Sequence, residues 1–382
     1  MNVPKLRFKE FNDTWKKIQL SSFVNINPQN DSLPEKFIYI DLESVNNGLL
    51  TSRKIINRAE APSRAKRTII KNDILYQTVR PYQMNNLFIN SLDSDYPYIA
   101  STGYALLRTK ENPYFVYSIL HQKSFVNKVL DMCTGTSYPA INATDLGKIS
   151  VGLPSIKEQE KISRTLELLD KKIELQTKKI EDLKLFKKGL NKFVFSNCTD
   201  EYKIENLIIE YSNKTTENNQ YEVLSSTANG ITFQNEYFNK QAASNNNTGY
   251  KIIPKGFITY RSMSDTGEFH FNIQDITDIG IVSPAYPVFN IKKNLVNKTY
   301  FVYYINENDG FKNEILSTKE GGTRYALSIT KFKTLNILLP KIEEQIKYSK
   351  YINIIINKIQ LEEKKLEKLI QLKKGLMQNM FV

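Results

Sequence analysis

Two histidines, two cysteines and a single tryptophan in 382 residues leave little room for several kinds of chemistry. His121 and His270 stand alone, so neither a histidine-dependent triad nor a histidine-cluster metal site is supported. Cys133 and Cys198 cannot make a disulfide framework and carry no ligand-type spacing; they fit a reduced, cytoplasmic setting. No run of about 18 apolar residues occurs, and the opening Met1-Asn2-Val3-Pro4-Lys5-Leu6-Arg7 has no apolar core of a signal peptide, so neither membrane span nor export is predicted. A phosphate-binding Gly-x-x-x-x-Gly-Lys run is missing, which excludes an ATP-driven motor, and no Gly-rich cofactor fingerprint follows a strand.

What is present is a globular balance: 41% hydrophobic and 24% charged residues, with a net charge of +13. The length predicts two or three domains with ample core. The charge is uneven, with +6 in residues 1–152, +4 in 153–199, −1 in 200–338 and +4 in 339–382. A basic chain points to a polyanionic partner, most often nucleic acid; a solvated basic surface is the plainer alternative.

Residues 153–190 and 339–376 are two copies of one segment, aligned without a gap at an offset of 186. Leu153-Pro154 matches Leu339-Pro340, Glu158-Gln159 matches Glu344-Gln345, and Lys187-Lys188-Gly189-Leu190 matches Lys373-Lys374-Gly375-Leu376. Apolar residues alternate by four and three at Ile162, Leu166, Leu169, Ile173, Ile180, Leu183 and Leu190. Gln176 and Lys187 fill the two gaps. The second copy has Tyr348, Ile352, Ile355, Ile359, Leu366, Leu369 and Leu376, with Glu362 and Lys373 in the gaps. Each is a coiled-coil seam on a helix of roughly 40 residues, about 60 Å long. Ser155 with Glu158 resembles a capping box, weaker in the second copy where Lys341 replaces the serine. Gly189 and Gly375, at one position in both copies, predict close backbone approach or a local end to the seam. Two such helices in one chain most simply pack antiparallel about a pseudo-two-fold axis, holding the domains apart; a plain dimerisation coil is the alternative.

The repeat continues more faintly into the globular segments. Lys71–Tyr76 matches Lys255–Tyr260, Ser101 and Tyr104 match Ser283 and Tyr286, and Ala140-Ile141 parallels Ala326-Leu327, at offsets between 182 and 186. Short β-like runs such as 37–40, 74–76, 104–107 and 257–260 are separated by Asn/Gly/Ser turns, and helical stretches lie near 113–130 and 299–316. Each segment reads as an α+β domain with a twisted, partly barrel-like sheet. The divisions are 1–152 and 200–338 for the domains, 153–199 and 339–382 for the helices.

These features together resemble the specificity subunit of type I restriction-modification systems. The resemblance rests on the domain and helix order, the Leu-Pro-x-Ile-x-Glu-Gln helix starts and the Lys-Lys-Gly-Leu ends, the second followed by Met377-Gln378-Asn379-Met380-Phe381. It rests also on Ala61–Arg67 preceding Lys71–Leu75 and Thr78-Val79-Arg80-Pro81. It implies two target recognition domains, each reading one half of a bipartite site in double-stranded DNA. It implies an antiparallel spacer of two helices that sets the unread gap and binds two methyltransferase subunits. Those partners would hold S-adenosylmethionine and methylate adenine, this chain holding no cofactor, and motor-nuclease subunits belong to the same systems.

Within that frame, Arg53, Lys54, Arg58, Arg64, Lys66 and Arg67 form a basic run, followed by Arg80, Tyr82, Gln83, Asn85 and Asn86 in a polar loop. Arginine and lysine clamp phosphates or pair with guanine; asparagine and glutamine suit adenine. The second domain offers Asn245, Asn246, Lys251, Arg261, Ser262, Arg324 and Tyr325, without the Ser-Arg-Ala-Lys-Arg run. Enzyme signals are poor. Asn112-Pro113-Tyr114-Phe115 is similar to the Asn-Pro-Pro-Tyr/Phe loop of adenine methyltransferases but lacks one proline and reads as a helix start. Asp265 and Glu268 fit no nuclease spacing. The rival readings are a coiled-coil adaptor that does not read sequence, and a methyltransferase or nuclease in its own right.

Overall fold

The computed structural model describes residues 3–29, 32–135, 137–237, 246–317 and 325–382. Its contacts divide the chain into two compact units, Met1–Lys178 with Lys364–Val382, and Lys179–Glu363. Each unit therefore holds one α+β domain and half of each long helix, Ile156–Ser196 and Ile342–Asn379.

In the first unit one sheet runs in the order Lys54–Asn57, Lys36–Ile40, Tyr98–Ser101, Ala65–Ile69, with the central pair parallel. A second runs Val24–Ile26, Tyr104–Thr109, Ile74–Gln77, Leu87–Phe88 and is antiparallel. The turn at 102–103 carries the chain from one sheet to the other. Strands Tyr98–Ser101 and Ile74–Gln77 are buried throughout, the continuous apolar pattern of strands covered on both faces. Ile38, Ile40, Ile69, Leu75, Tyr98, Ala100 and Leu106 make one core. Trp15, Tyr76, Phe115, Ile162, Leu166, Met380 and Phe381 belong to a second, under the helices. Asn112 caps helix Pro113–Leu120 by accepting the Phe115 amide at 2.9 Å, so the Asn-Pro pair opens a helix.

The second unit repeats this order. Strand pair Asp200–Lys203 with Asn336–Leu339 corresponds to Lys16–Gln19 with Ser150–Leu153. The sheet Ile208–Glu210, Val288–Ile291, Ile258–Thr259, Asn272–Ile273 corresponds to the antiparallel sheet above. The other sheet is reduced to two pairs, Leu224–Thr227 with Gly230–Phe233 and Lys251–Pro254 with Ile279–Val282, joined by the parallel bridge of Val223 to Ile281.

The long helices pack antiparallel within each unit. In the first, Asp170 meets Lys373 at 2.5 Å, while Ile162 and Leu166 share a core with Leu376, Met377, Met380 and Phe381. In the second, Lys179 pairs with Glu362 at 3.0 Å, and Phe193 packs on Tyr348 with ring centroids 6.2 Å apart. Every predicted seam position in both helices is buried or half-buried. The polar seam steps have partners: Lys187 pairs with Glu307 at 2.8 Å, Lys373 with Asp170, and Glu362 with Lys179.

Two expectations are corrected. Gly189 and Gly375 approach no backbone; an added Cβ at either would meet nothing within 4 Å, and the helices run on to Ser196 and Asn379. The capping box does not form, because Glu158 turns both carboxylate oxygens onto Arg7, at 2.7 and 2.8 Å. What the repeated motif supplies is Gln159 and Gln345. Each donates to the carbonyl of the repeated proline, Pro154 at 3.0 Å and Pro340 at 2.8 Å. Each also accepts the amide of the asparagine capping the neighbouring helix, Asn112 at 3.2 Å and Asn297 at 2.9 Å. One buried amide thus ties each long helix to its own domain.

Candidate nucleic-acid interface and helix surface

The polar loop of the first unit is fixed at both ends by strained backbone. Arg80 (φ 54°, ψ 55°) and Met84 (φ 51°, ψ 30°) both adopt the left-handed conformation around the short 3₁₀ turn Pro81–Gln83. For residues other than glycine this costs roughly 1–2 kcal/mol each, so surrounding contacts must hold it. They are present. Buried Gln77 donates to the Val79 carbonyl (2.7 Å) and to Gln83 Oε1 (2.9 Å), and accepts the Asn85 amide (3.2 Å). The strap of residues 137–141 lies alongside, with Val79 bridged to Ala140 and the Arg80 amide donating to the Pro139 carbonyl at 2.8 Å. From that strap exposed Tyr138 offers its ring to Arg80, whose Cζ sits 4.4 Å from the centroid. Tyr82 and Met84 project, 49% and 40% exposed.

Other loops converge here. The turn at 102–103 donates from the Thr102 amide to the Arg64 carbonyl (2.9 Å) and accepts at the Gly103 carbonyl from the Thr78 hydroxyl (2.9 Å). The hairpin at Asn47-Gly48 donates from the Asn47 amide to Asn85 Oδ1 at 3.1 Å. Arg64, Arg67, Arg80, Tyr82, Gln83 and Asn85 are therefore held around one set of loops. Lys66 is exposed on the same strand as Arg67. The Arg67 Nε is buried without a hydrogen-bond partner among the described residues, and burial pulls its pKa below the ordinary guanidinium value.

The remaining cations are committed elsewhere. Arg53 meets Asp93 (3.0 Å), Lys54 meets Asp41 (3.9 Å) and Arg58 meets Glu35 (3.7 Å). They lie on or beside strand Lys54–Asn57, at the far edge of the sheet from Ala65–Ile69.

In the second unit the same strap recurs with different side chains. Met263 bridges Ala326, and the Leu327 amide donates to the Ser262 carbonyl at 2.9 Å, which explains why Ala140-Ile141 and Ala326-Leu327 repeat. By this register Ser264 stands where the first unit has Arg80, and Arg261 where it has Gln77. Exposed Arg261 opens a polar groove of about 290 Å³, lined also by Ser226, Thr227, Asp265, Glu268 and His270. Burial pushes the Tyr286 phenol up, against the pull of nearby Arg261. Ser262 and Tyr325 are brought beside this groove by the strap. Lys251 instead donates inward to the Tyr286 carbonyl at 3.0 Å, and burial pulls its pKa down. Asn245 and Arg324 lie outside the described residues. Sequence reasoning missed Gln77, Tyr138 and Asn47; an Asn-Gly hairpin turn is the only one of these with a sequence signal.

The helices expose a second surface. In the first unit Leu168, Leu175 and Leu372 face solvent; in the second, their counterparts at the offset of 186, Ile354, Leu361 and Phe186, do the same. All six are between 52% and 61% exposed. A spacing of 7 residues places Leu168 with Leu175, and Ile354 with Leu361, on one face of each helix and outside the seam. Among the described residues no group of three or more His, Cys, Asp or Glu is placed to hold a metal ion, and no helix is long and apolar enough to cross a membrane.

The sequence matches the type I restriction modification DNA specificity domain over residues 12–185 and 200–371. The type I restriction enzyme HindI specificity subunit of Haemophilus influenzae is 29% identical over 165 residues, 41% of this chain and 35% of that protein. The chain thus spans about a third of that relative's length in the match. A chain solved in a study of complex assembly and conformational transition of the type I R-M system superposes with a TM-score of 0.52 at 19% identity, covering 95% of this chain and 96% of that one. The type I restriction-modification S subunit from M. genitalium does so with a TM-score of 0.61 at 16% identity, covering 100% and 99%. At these identities the two structures speak for the fold.

Proposed function

Because the chain belongs to the type I restriction-modification DNA specificity family, we propose that it is the non-catalytic subunit that reads DNA for a methyltransferase complex. Each unit reads one half of a bipartite site in double-stranded DNA. The observation that carries this reading is the strap: one backbone arrangement in both units, with Arg80 and Gln77 in one and Ser264 and Arg261 in the other. A shared frame with unlike side chains is what two readers of unlike half-sites require.

The partners follow from the duplicated apolar set on the helices. Two equivalent apolar surfaces, related by the offset of 186, call for two copies of one partner, the methyltransferase subunits, which bring S-adenosylmethionine and the catalytic groups. Full burial of a Leu, Ile or Phe side chain contributes about 1.5–3 kcal/mol, so three per site supply a substantial share of a docking energy. The two unbonded cysteines fit a cytoplasmic place of action.

The test is co-expression with the methyltransferase of the same system, followed by sequencing of methylated adenines. A two-part motif with an unread gap is expected. Exchanging residues 1–152 for another domain of the type changes one half only, and matched whole-turn insertions in both helices change only the gap. Binding without sequence preference overturns the reading and leaves the adaptor in its place.

A further inference from the structure

The loop that carries Arg80, Tyr82 and Gln83 is held from behind by a chain of polar side chains that ends on a half-buried histidine. We propose that Asn86 and His121 are positioning residues for base reading by the first unit. The proposal rests on the reading above, that this loop faces DNA.

Asn86 is buried, and its Oδ1 accepts the Gln77 amide at 2.8 Å. That leaves Gln77 free to spend its side chain on Val79, Gln83 and Asn85. The Asn86 Nδ2 lies 3.4 Å from His121 Nε2. His121 Nδ1 lies 2.8 Å from the Tyr117 carbonyl, which can only accept. The proton is therefore on Nδ1, and Nε2 is the acceptor that Asn86 needs. The ring is fixed further by Tyr117, with centroids 4.4 Å apart. Burial pulls the His121 pKa below its ordinary value; Lys373 of the second long helix adds to this, while the Tyr117 and Met84 carbonyls and Asp170 of the first long helix oppose it. The imidazole is neutral at physiological pH, the state in which its Nε2 can accept. Remove either member and the left-handed Arg80 and Met84 lose the inner support of the segment between them.

The second unit is an internal control. Strand register puts Phe271 where the first unit has Asn86, because Asn272 pairs with Thr259 as Leu87 pairs with Leu75. The helix offset puts Glu307 where it has His121. There the tie is different: Asn306 accepts the Phe271 amide at 3.0 Å and donates to its carbonyl at 2.8 Å, with no histidine and, among the described residues, no link to Arg261, so changes at Asn86 or His121 should act on one half-site alone.

The experiment uses the full chain assembled with its methyltransferase partner and a duplex library randomised across both half-sites and the gap. Arg80→Ala marks which half belongs to the first unit. His121→Phe and Asn86→Ala should lower enrichment of that same half by about tenfold or more, the discrimination of one good base contact. The other half and the sequence-blind affinity should not change. His121→Gln, which keeps an acceptor, should restore part of the loss. Asn86→Asp keeps the acceptor for Gln77 but sets a second acceptor against Nε2. A carboxylate there raises the His121 pKa, so discrimination should be poor near pH 8 and recover near pH 6, while the wild type stays flat. Unchanged discrimination in His121→Phe and Asn86→Ala overturns the proposal. So does equal loss in both halves, or, should those variants fail to fold, a flat pH profile for Asn86→Asp. A wild-type complex that selects no two-part motif overturns the DNA reading itself.

Discussion

Arg53 and Arg67 are equal in a sequence and unequal in the fold. The basic run from 53 to 67 gives no sign of which cations are occupied, because the carboxylates that hold Arg53, Lys54 and Arg58 come from Asp93, Asp41 and Glu35, on other strands and turns. Arg64, Arg67 and Arg80 have no carboxylate partner among the described residues. The two groups should behave differently. Arg80→Ala, which removes a side chain held against Tyr138, should cost about 1–3 kcal/mol at one base pair and relax preference there. Arg64→Ala should weaken binding evenly across sequences and reduce the slope of log affinity against log salt by about one. Arg53→Ala should do neither strongly. Titrations of specific and mismatched duplexes at several salt concentrations separate these outcomes. The left-handed Arg80 and Met84 could not be read from sequence, since neither residue type signals that backbone.

The long helices were the most legible elements, because a seam repeating every three and four residues survives any tertiary context. Their polar steps were visible too, but not their purpose, as the partners Asp170, Lys179 and Glu307 lie on other helices or other parts of the chain. The glycines were misread from their repetition alone. With nothing near either Cβ position, Gly189→Ala and Gly375→Ala should each stabilise the fold by about 1 kcal/mol, visible as a raised melting temperature. The helix start was misread because Ser-x-x-Glu fits a local cap, while Arg7, about 150 positions away, claims the glutamate. Glu158→Ala leaves the partly buried Arg7 guanidinium with the Asp13 carbonyl but no carboxylate and should cost roughly 3 kcal/mol in a denaturant titration. The second copy has its Glu344 exposed, so Glu344→Ala should be near neutral.

At the scale of the molecule, duplication was legible wherever both copies do the same task and faint wherever they differ. The helix starts share Leu-Pro-x-Ile-x-Glu-Gln, in which Gln159 and Gln345 make the same two bonds. The reduced sheet of the second unit was not legible, since its short strands keep the β-like pattern while losing the ladder between Leu224–Thr227 and Ile279–Val282. Under the proposed docking of one methyltransferase subunit on each exposed apolar set, the duplication makes a stoichiometric prediction. Leu175→Asp and Leu361→Asp should each lower the number of bound methyltransferase subunits from two to one, and the double variant to none, as weighed by mass photometry of the assembled complex.

Met380 and Phe381 belong to the core that Trp15 and Phe115 begin, with Phe381 stacked on Phe115 at 5.3 Å. The second unit lies wholly between Lys179 and Glu363. Chain order and closure order therefore differ: the unit that holds the first residues closes only when residues 364–382 have joined it, whereas the second unit is complete at residue 363. Until then the core around Trp15, Phe115, Ile162 and Leu166 lacks Met380 and Phe381. Residues 364–382, rather than the N-terminal domain alone, therefore decide when the first unit reaches its final packing.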